Sequence, residues 1–258
     1  MGLSFFDSAH WAATALIEVV VLTLALRRRL FHHLPFFTIY LCLVVANEAI
    51  TWTTYRINGI ASLNSFYVYW TMQALQVSAR ALAVYEICGV LLGPYIGVWK
   101  LCRPFSLFLA IFLLGTATIS NRASAHHIAA TILTAERGLE LMVVAILIVG
   151  LMFCRYYGLR IERYLIWIAL GLGFYSAVQV ANNTFLQNSV IGHFAIWGDL
   201  RHASFNIATI LWLVALWKAL PAARPAPVLL VSGEYESLAP QVTLRLRELN
   251  ARLLEMWK

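Results

Sequence analysis

Charged residues are scarce in this sequence. They make up 12% of the 258 residues, whereas hydrophobic residues make up 61%, and the mean hydropathy is +0.76. Soluble globular domains carry about 25% charged residues, so this composition excludes an ordinary soluble domain and predicts an integral membrane protein. No short basic segment with a small-residue cleavage site precedes the first apolar run. We therefore expect that run to be a retained span and not a signal peptide.

Cysteine is sparse as well. The four cysteines, Cys42, Cys88, Cys102 and Cys154, form no CxxC pair, which argues against a disulfide framework and against a zinc site built from cysteine pairs. The net charge of +7 comes from short basic clusters between apolar segments. Clusters in such positions set membrane topology, so we expect no nucleic-acid partner.

Motifs of common enzymes and cofactor proteins are missing. The sequence has no P-loop, GxGxxG, HExxH or GxSxG pattern. A retinal Schiff base would need a lysine near the middle of the last apolar segment, but Lys218 lies at its end. The histidines fall in loops or at segment ends, which disfavours haem. We expect no catalytic residue, cofactor or metal. A carboxylate-metal enzyme using Glu48, Glu140 and His202 is the remaining enzymatic alternative, although no one helix carries a ligand spacing.

Seven apolar segments approach the roughly 20 residues that a helix needs to cross a bilayer. They span 10–26, 34–55, 66–92, 101–119, 132–154, 163–185 and 200–219. Basic residues cluster after the first segment, between the third and fourth, and between the fifth and sixth, and such connections lie in the cytoplasm. The sequence thus predicts an all-α seven-transmembrane-helix bundle with the N-terminus outside and the C-terminus cytoplasmic. It lies in the cell membrane, and the compact loops suit a bacterial inner membrane.

The predicted domains are the seven-helix domain (1–220), a Pro-rich linker (221–233) that contains "PAARPAP", and a cytoplasmic amphipathic tail helix (234–258). Apolar residues recur in the tail at steps of four and three, on one face of a helix. They are Val242, Leu246, Leu249, Leu253 and Met256. Two interpretations stay open. The stripe packs on the protein's own cytoplasmic side or the membrane surface, or the 237–258 helix binds a cytoplasmic partner protein.

Short matches suggest an internal repeat. "LIEVVV" (16–21) aligns with "GLELMVV" (138–144), and "VANE" (45–48) aligns with "VANN" (180–183). A parallel 3+1+3 plan, as in some seven-helix transporters, would set Glu18 opposite Glu140 and Glu48 opposite Asn183. Chance identity among apolar residues is the competing explanation.

Five predicted spans place polar side chains in the same outer half of the membrane. A charge at mid-bilayer costs at least about 2.5–3.5 kcal/mol, so these side chains should face the bundle interior and pair with one another. The third span carries Tyr69, Gln73, Gln76 and Arg80 on one stripe, which predicts that it is the central helix. By depth, the expected partner of Arg80 is Glu48. Arg137 can pair with Glu140 at i,i+3; alternatively, Arg137 and Glu136 reach to the membrane interface.

These residues predict an outward-facing polar cavity. The expected ligand-binding residues are Glu18, Glu48, Gln73, Arg80, Glu136, Arg137, Glu140 and Arg201. The sixth and seventh spans add further polar groups at this level, namely Tyr175, Gln179, Asn182, Asn183, His202, Ser204 and Asn206. Four glutamates against two arginines in the outer half favour a cationic or amine-bearing ligand, or protonated carboxyls.

Three functional hypotheses follow. The first is a receptor or sensor-like module that binds an unidentified small ligand outside and signals through the tail or a partner protein. The second is a small-solute transporter, in which membrane carboxylates carry protons. The third is a structural or assembly subunit of a membrane complex, whose charges only pair helices. Membrane lipid is the partner common to all three.

Overall fold

A computed structural model describes residues 5–59, 62–93, 96–120, 127–156, 161–187, 194–217 and 240–256. These ranges are helical and contain no strand. The helices are α1 (Phe5–Arg27), α2 (Pro35–Asn58), α3 (Leu63–Leu92), α4 (Ile96–Ser120), α5 (His127–Tyr156), α6 (Arg163–Gln187), α7 (Phe194–Trp217) and α8 (Pro240–Glu255), with a 3-10 turn, Leu30–His32, between α1 and α2.

Six helices, α2 to α7, are long and apolar enough to cross a membrane. In this respect the expectation of an all-α polytopic membrane protein is confirmed. The remaining predicted span, 10–26, corresponds to α1. The count of seven, the orientation and the repeat stay predictions. Several helices begin before the predicted segments; α7, for example, begins at Phe194 and not at residue 200. Hydropathy marks only the apolar part of a helix, whereas hydrogen bonding continues through polar turns beyond it.

The helix α3 is central, as its polar stripe predicted. It contacts α2, α4, α5 and α6, while α1 packs against α2 and α7, and α6 packs against α7. The helix α4 is peripheral: it packs on α5 and α8 and exposes large apolar side chains such as Phe108 and Ile111. In a membrane protein, such an exposed apolar surface contacts lipid.

The start of α2 is capped by a side chain from α3. Pro35 stands in the first turn, where its missing N–H costs nothing. The next two N–H groups, of Phe36 and Phe37, donate to the two carboxylate oxygens of Glu86 at 3.0 and 2.9 Å. A carboxylate is favourable here because the helix N-terminus carries partial positive charge. Glu86 therefore links the start of α2 to the last turns of α3.

The core contains an aromatic cluster around Trp212 of α7, which is fully buried. The rings of Phe37, Tyr40 and Phe205 meet the indole nearly edge-on, with centroids 5.5, 5.9 and 6.0 Å away. The indole N–H donates to the carbonyl of Ile168 in α6 at 3.3 Å. Gly171 permits this approach of α6 and α7, because a Cβ there would lie 2.4 Å from the indole nitrogen.

The tail helix α8 packs on the ends of the bundle helices. Leu246 and Leu253 are buried, and Leu253 clusters with Leu92 of α3, together with Trp99, Cys102 and Phe153 of α4 and α5. Packing of the stripe on the protein itself is therefore confirmed for these two leucines. Two other stripe residues, Leu249 and Met256, remain exposed. The predicted linker, 221–233, lies outside the described residues.

Candidate functional site

A buried ion pair joins α3 to α5 at the centre of the bundle. Arg80 donates through Nη1 to Oε1 of Glu140, and each side chain is only 1% exposed. The partner is thus Glu140 and not Glu48, which depth alone had favoured. Depth along a helix follows from residue spacing, but the helix that stands opposite depends on packing, which the sequence does not specify.

Two tyrosines hold the guanidinium of Arg80 between their rings. Its central carbon lies 4.4 Å from the ring centroid of Tyr175 in α6 and 5.6 Å from that of Tyr40 in α2. An aromatic face attracts a cation, and more strongly where water is excluded. Four helices, α2, α3, α5 and α6, therefore meet at one arginine.

A second set of hydrogen bonds links α3, α5 and α7. The amide nitrogen of Gln73 donates to Glu136 at 2.6 Å, and its amide oxygen accepts from Arg201 Nη2 at 2.9 Å. Arg201 also donates through Nη1 to the hydroxyl of Tyr69 at 3.1 Å. Gln73 and Arg80 are seven residues apart, and Glu136 and Glu140 are four apart, so each pair shares one helix face. We call the five residues Gln73, Arg80, Glu136, Glu140 and Arg201 the interior network.

Several buried polar atoms of α3, α5, α6 and α7 have no hydrogen-bond partner among the described residues. Arg80 Nε, Glu140 Oε2 and Gln179 Oε1 are three of them. Similar atoms occur on Asn182, Asn183 and Asn206. Leaving one such group unsatisfied costs about 1–3 kcal/mol, and more for a charged group. Arg80 Nε and Glu140 Oε2, which belong to one ion pair, are therefore suited to bind a polar molecule.

Glu18 and Glu48 form a separate acidic site between α1 and α2. Glu18 is 4% exposed, and neither of its carboxylate oxygens has a hydrogen-bond partner among the described residues. The charged group that acts on it is Glu48 of α2. The acidic surplus predicted from the sequence is thus localised, because the interior network holds two arginines and two glutamates, whereas the additional carboxyls lie here.

Arg137 lies in a third place. It lines a groove of about 430 Å³ between α4, α5 and α6, which we call the α4–α6 groove. The described lining residues are Leu113, Thr116, Thr134, Arg137, Gly138, Leu141, Val180 and Thr184. Glu136, one residue earlier, is 3% exposed and faces the interior. Adjacent helical residues differ by about 100° around the axis, so these neighbours do not share a site, and Oε1 of Glu140 accepts from Arg80.

Comparisons with protein families, characterised proteins and solved structures gave no match.

The eight predicted site residues are therefore distributed over three places: five in the interior network, two at the acidic site and one in the groove. Tyr40 was not predicted, and an aromatic residue within an apolar segment carries no signal that separates it from core packing. Glu86 was not among the predicted site residues, and its capping of α2 was not predicted. Among the described residues, no group of three or more His, Cys, Asp or Glu side chains is placed to hold a metal ion.

The interior network contains equal numbers of positive and negative side chains that could bind a ligand. Arg80 and Arg201 provide donors, and Glu136 and Glu140 provide acceptors, in a region of low polarity where each hydrogen bond is strong. A ligand that carries both a donor and an acceptor matches this set. The acidic site differs, because two nearby carboxyls favour a proton or a cation.

Proposed function

We propose that the protein is a receptor or sensor-like membrane module that binds a small polar ligand at the interior network. In this proposal α1 is the seventh span, the N-terminus lies outside, and the C-terminus lies in the cytoplasm of a bacterial cell. The observation that carries it is that Nε of Arg80, Oε2 of Glu140 and Oε1 of Gln179 are buried and have no hydrogen-bond partner among the described residues. Gln179 is connected to the ion pair through Tyr175, to which its amide nitrogen donates and whose ring lies against Arg80. A ligand that accepts from the arginine and donates both to the carboxylate and to the amide oxygen satisfies all three.

The tail helix supplies a route for the signal. Arg80 and Glu140 lie on α3 and α5, and Leu253 of α8 packs against Leu92 and Phe153 near the ends of the same two helices. A ligand that changes the spacing of α3 and α5 at the ion pair also changes the surface on which α8 docks. Such coupling requires different ligand affinities for the two arrangements.

The first test is ligand-dependent thermal stability of the detergent-purified protein. Amino acids, amines, carboxylates and small polar metabolites are added one at a time. A binding compound raises the melting temperature, because it binds only the folded state. The rise is lost in Glu140→Gln and in Gln179→Leu, but is kept in Arg56→Gln, which changes an exposed arginine at the end of α2. If no compound shifts the melting temperature, and copurification yields a larger complex, the structural-subunit hypothesis replaces this proposal.

A proton-coupled transporter is the second candidate, and Glu18 is the observation that favours it. A buried carboxyl that has no hydrogen-bond partner among the described residues and lies near a second carboxyl can bind and release a proton during transport. Reconstituted vesicles with an imposed proton gradient would then accumulate the compound found in the stability test, and Glu18→Gln would abolish accumulation while leaving binding intact. Binding without accumulation in the native protein supports the sensor instead.

A further inference from the structure

The turn between α1 and α2 concentrates positive charge in a few residues. It contains three arginines and two histidines, namely Arg27, Arg28, Arg29, His32 and His33. We call residues 27–33 the basic turn. The candidate span α2 begins two residues later, at Pro35, so the basic turn lies at a membrane boundary. Basic side chains at such a boundary are within reach of lipid headgroups.

The basic turn is held in place by buried leucines and by one long-range hydrogen bond. Leu30 and Leu34 are fully buried in the core. Arg28 donates through Nη2 to the backbone carbonyl of Trp217 at 3.0 Å, and Trp217 is the last residue of α7. The turn is therefore attached to the ends of two candidate spans, and its other basic side chains are presented from a fixed backbone.

Two arginines of the basic turn, Arg27 and Arg29, keep their guanidinium donors free. Both residues are exposed, and in the part of the chain that the structure describes neither side chain makes a hydrogen bond or an ion pair. Glu86, which reaches the start of α2, uses its two carboxylate oxygens on the N–H groups of Phe36 and Phe37. The donors of Arg27 and Arg29 are therefore available to an anion that comes from outside the chain.

Arg29 has a strained backbone. Its φ is 54° and its ψ is 36°, and it is the one non-glycine residue with positive φ among those that the structure describes. This left-handed conformation is unfavourable for an L-amino acid and ordinary for glycine. Strain of this kind persists at sites that clamp ligands, which favours a role for the Arg29 side chain.

Exposed apolar side chains flank the basic turn. Leu26 precedes it, Phe31 lies within it and Phe36 follows it, and all three are exposed. Trp217, whose carbonyl accepts from Arg28, is exposed as well. At the end of a membrane-spanning helix, such side chains lie against acyl chains and the interface. A molecule with an anionic headgroup and hydrocarbon chains therefore matches both the charge of the turn and the surface beside it.

We propose that the basic turn binds the headgroup of an anionic phospholipid. The phosphate lies between Arg27 and Arg29, because the paired N–H donors of a guanidinium match phosphate oxygens. The acyl chains lie against Phe31 and Trp217. A net-negative headgroup complements the two charges, whereas the cationic group of a zwitterionic headgroup offsets its phosphate. This site is separate from the interior network, so the proposal does not depend on the identity of the polar ligand.

The test measures lipid retention by the full-length protein in detergent, using native mass spectrometry. Phosphatidylglycerol and phosphatidylcholine with identical acyl chains are added at equal concentrations. We expect the native protein to prefer phosphatidylglycerol by about tenfold, since one basic side chain near an anionic surface contributes about fivefold at most. The double variant Arg27→Gln/Arg29→Gln should lose the preference. Arg27→Lys/Arg29→Lys, which keeps both charges, should recover most of it.

Two further variants separate lipid binding from folding and from the mere presence of arginine at a membrane boundary. Arg29→Gly removes one guanidinium and also the backbone strain, so it should lower the preference about fivefold while raising the melting temperature. Arg56→Gln removes an exposed arginine that lies over the ring of Trp52 at the other end of α2, and it should keep the native preference.

Equal retention of the two lipids by the native protein would overturn the proposal. So would a preference that survives in the double glutamine variant, or one that Arg56→Gln lowers as strongly as Arg29→Gly does.

Discussion

Breaking the Arg80–Glu140 pair should lower the stability of the bundle markedly. Glu140→Gln keeps the size of the side chain but removes its charge, and leaves a guanidinium that is 1% exposed without a counter-ion. Removing one partner of a buried ion pair costs about 3–5 kcal/mol. The two tyrosine faces and an amide oxygen remain to contact Arg80, so we expect the lower end, about 3 kcal/mol.

The melting temperature reports this loss. For a protein of 150–250 residues, each kcal/mol corresponds to about 2–4 °C, so Glu140→Gln should melt about 6–12 °C lower. Tryptophan fluorescence of the purified protein follows the transition, since the chain has nine tryptophans. Glu248→Gln makes the same chemical change at an exposed position of α8 and should leave the melting temperature unchanged.

A double variant decides whether the loss comes from the pair. The double variant Arg80→Met/Glu140→Leu removes both charges and leaves none uncompensated. We expect its loss of stability to be smaller, by about 1–3 kcal/mol, than the sum of the losses measured for Arg80→Met and Glu140→Leu separately. If the single losses simply add, the two side chains do not stabilise one another. Our account of the pair as the centre of the bundle would then be wrong.

Three further changes test the packing described above. Glu86→Ala removes the acceptor at the start of α2 and should cost about 1–2 kcal/mol in thermal unfolding, whereas Glu86→Gln, which keeps one acceptor, should cost less. Gly171→Ala puts a Cβ 2.4 Å from an indole nitrogen and should cost about 1–3 kcal/mol in the same assay. Gly150→Ala, with no neighbouring atom within 4 Å, should not destabilise the bundle. Leu253→Ala should release α8, so limited proteolysis should remove the tail faster than in the native protein; unchanged cleavage would contradict the docking.

The sequence predicted the features that depend on one helix at a time. Apolar length located the candidate spans, and the seven-residue spacing of Gln73 and Arg80 predicted that α3 presents its polar face to the interior. The four-residue spacing of Glu136 and Glu140 places them on one face of α5 for the same reason. Each of these follows from helix geometry alone, which is why the structure agrees with them.

Relations between helices could not be predicted in the same way. Glu48 and Glu140 had both been placed in the outer half of the membrane, and only the packing of α3 against α5 selects Glu140 as the partner of Arg80. Arg137 lines the α4–α6 groove, whereas Glu136 faces the interior, because adjacent helical residues differ by about 100° around the axis. The predicted pairing of Arg137 with Glu140 stays a prediction.

The carboxylate of Glu86 has a consequence for how the chain enters the membrane. It accepts from backbone groups 49 and 50 residues earlier, and a ribosome synthesises Phe36 and Phe37 long before it reaches Glu86. Until then the first turn of α2 must find water or lipid headgroups for its N–H groups, since hydrocarbon provides no acceptor. The helix attains its final hydrogen bonding only when α3 has followed it. Biogenesis of this bundle therefore includes a step at which two helices settle together as a hairpin.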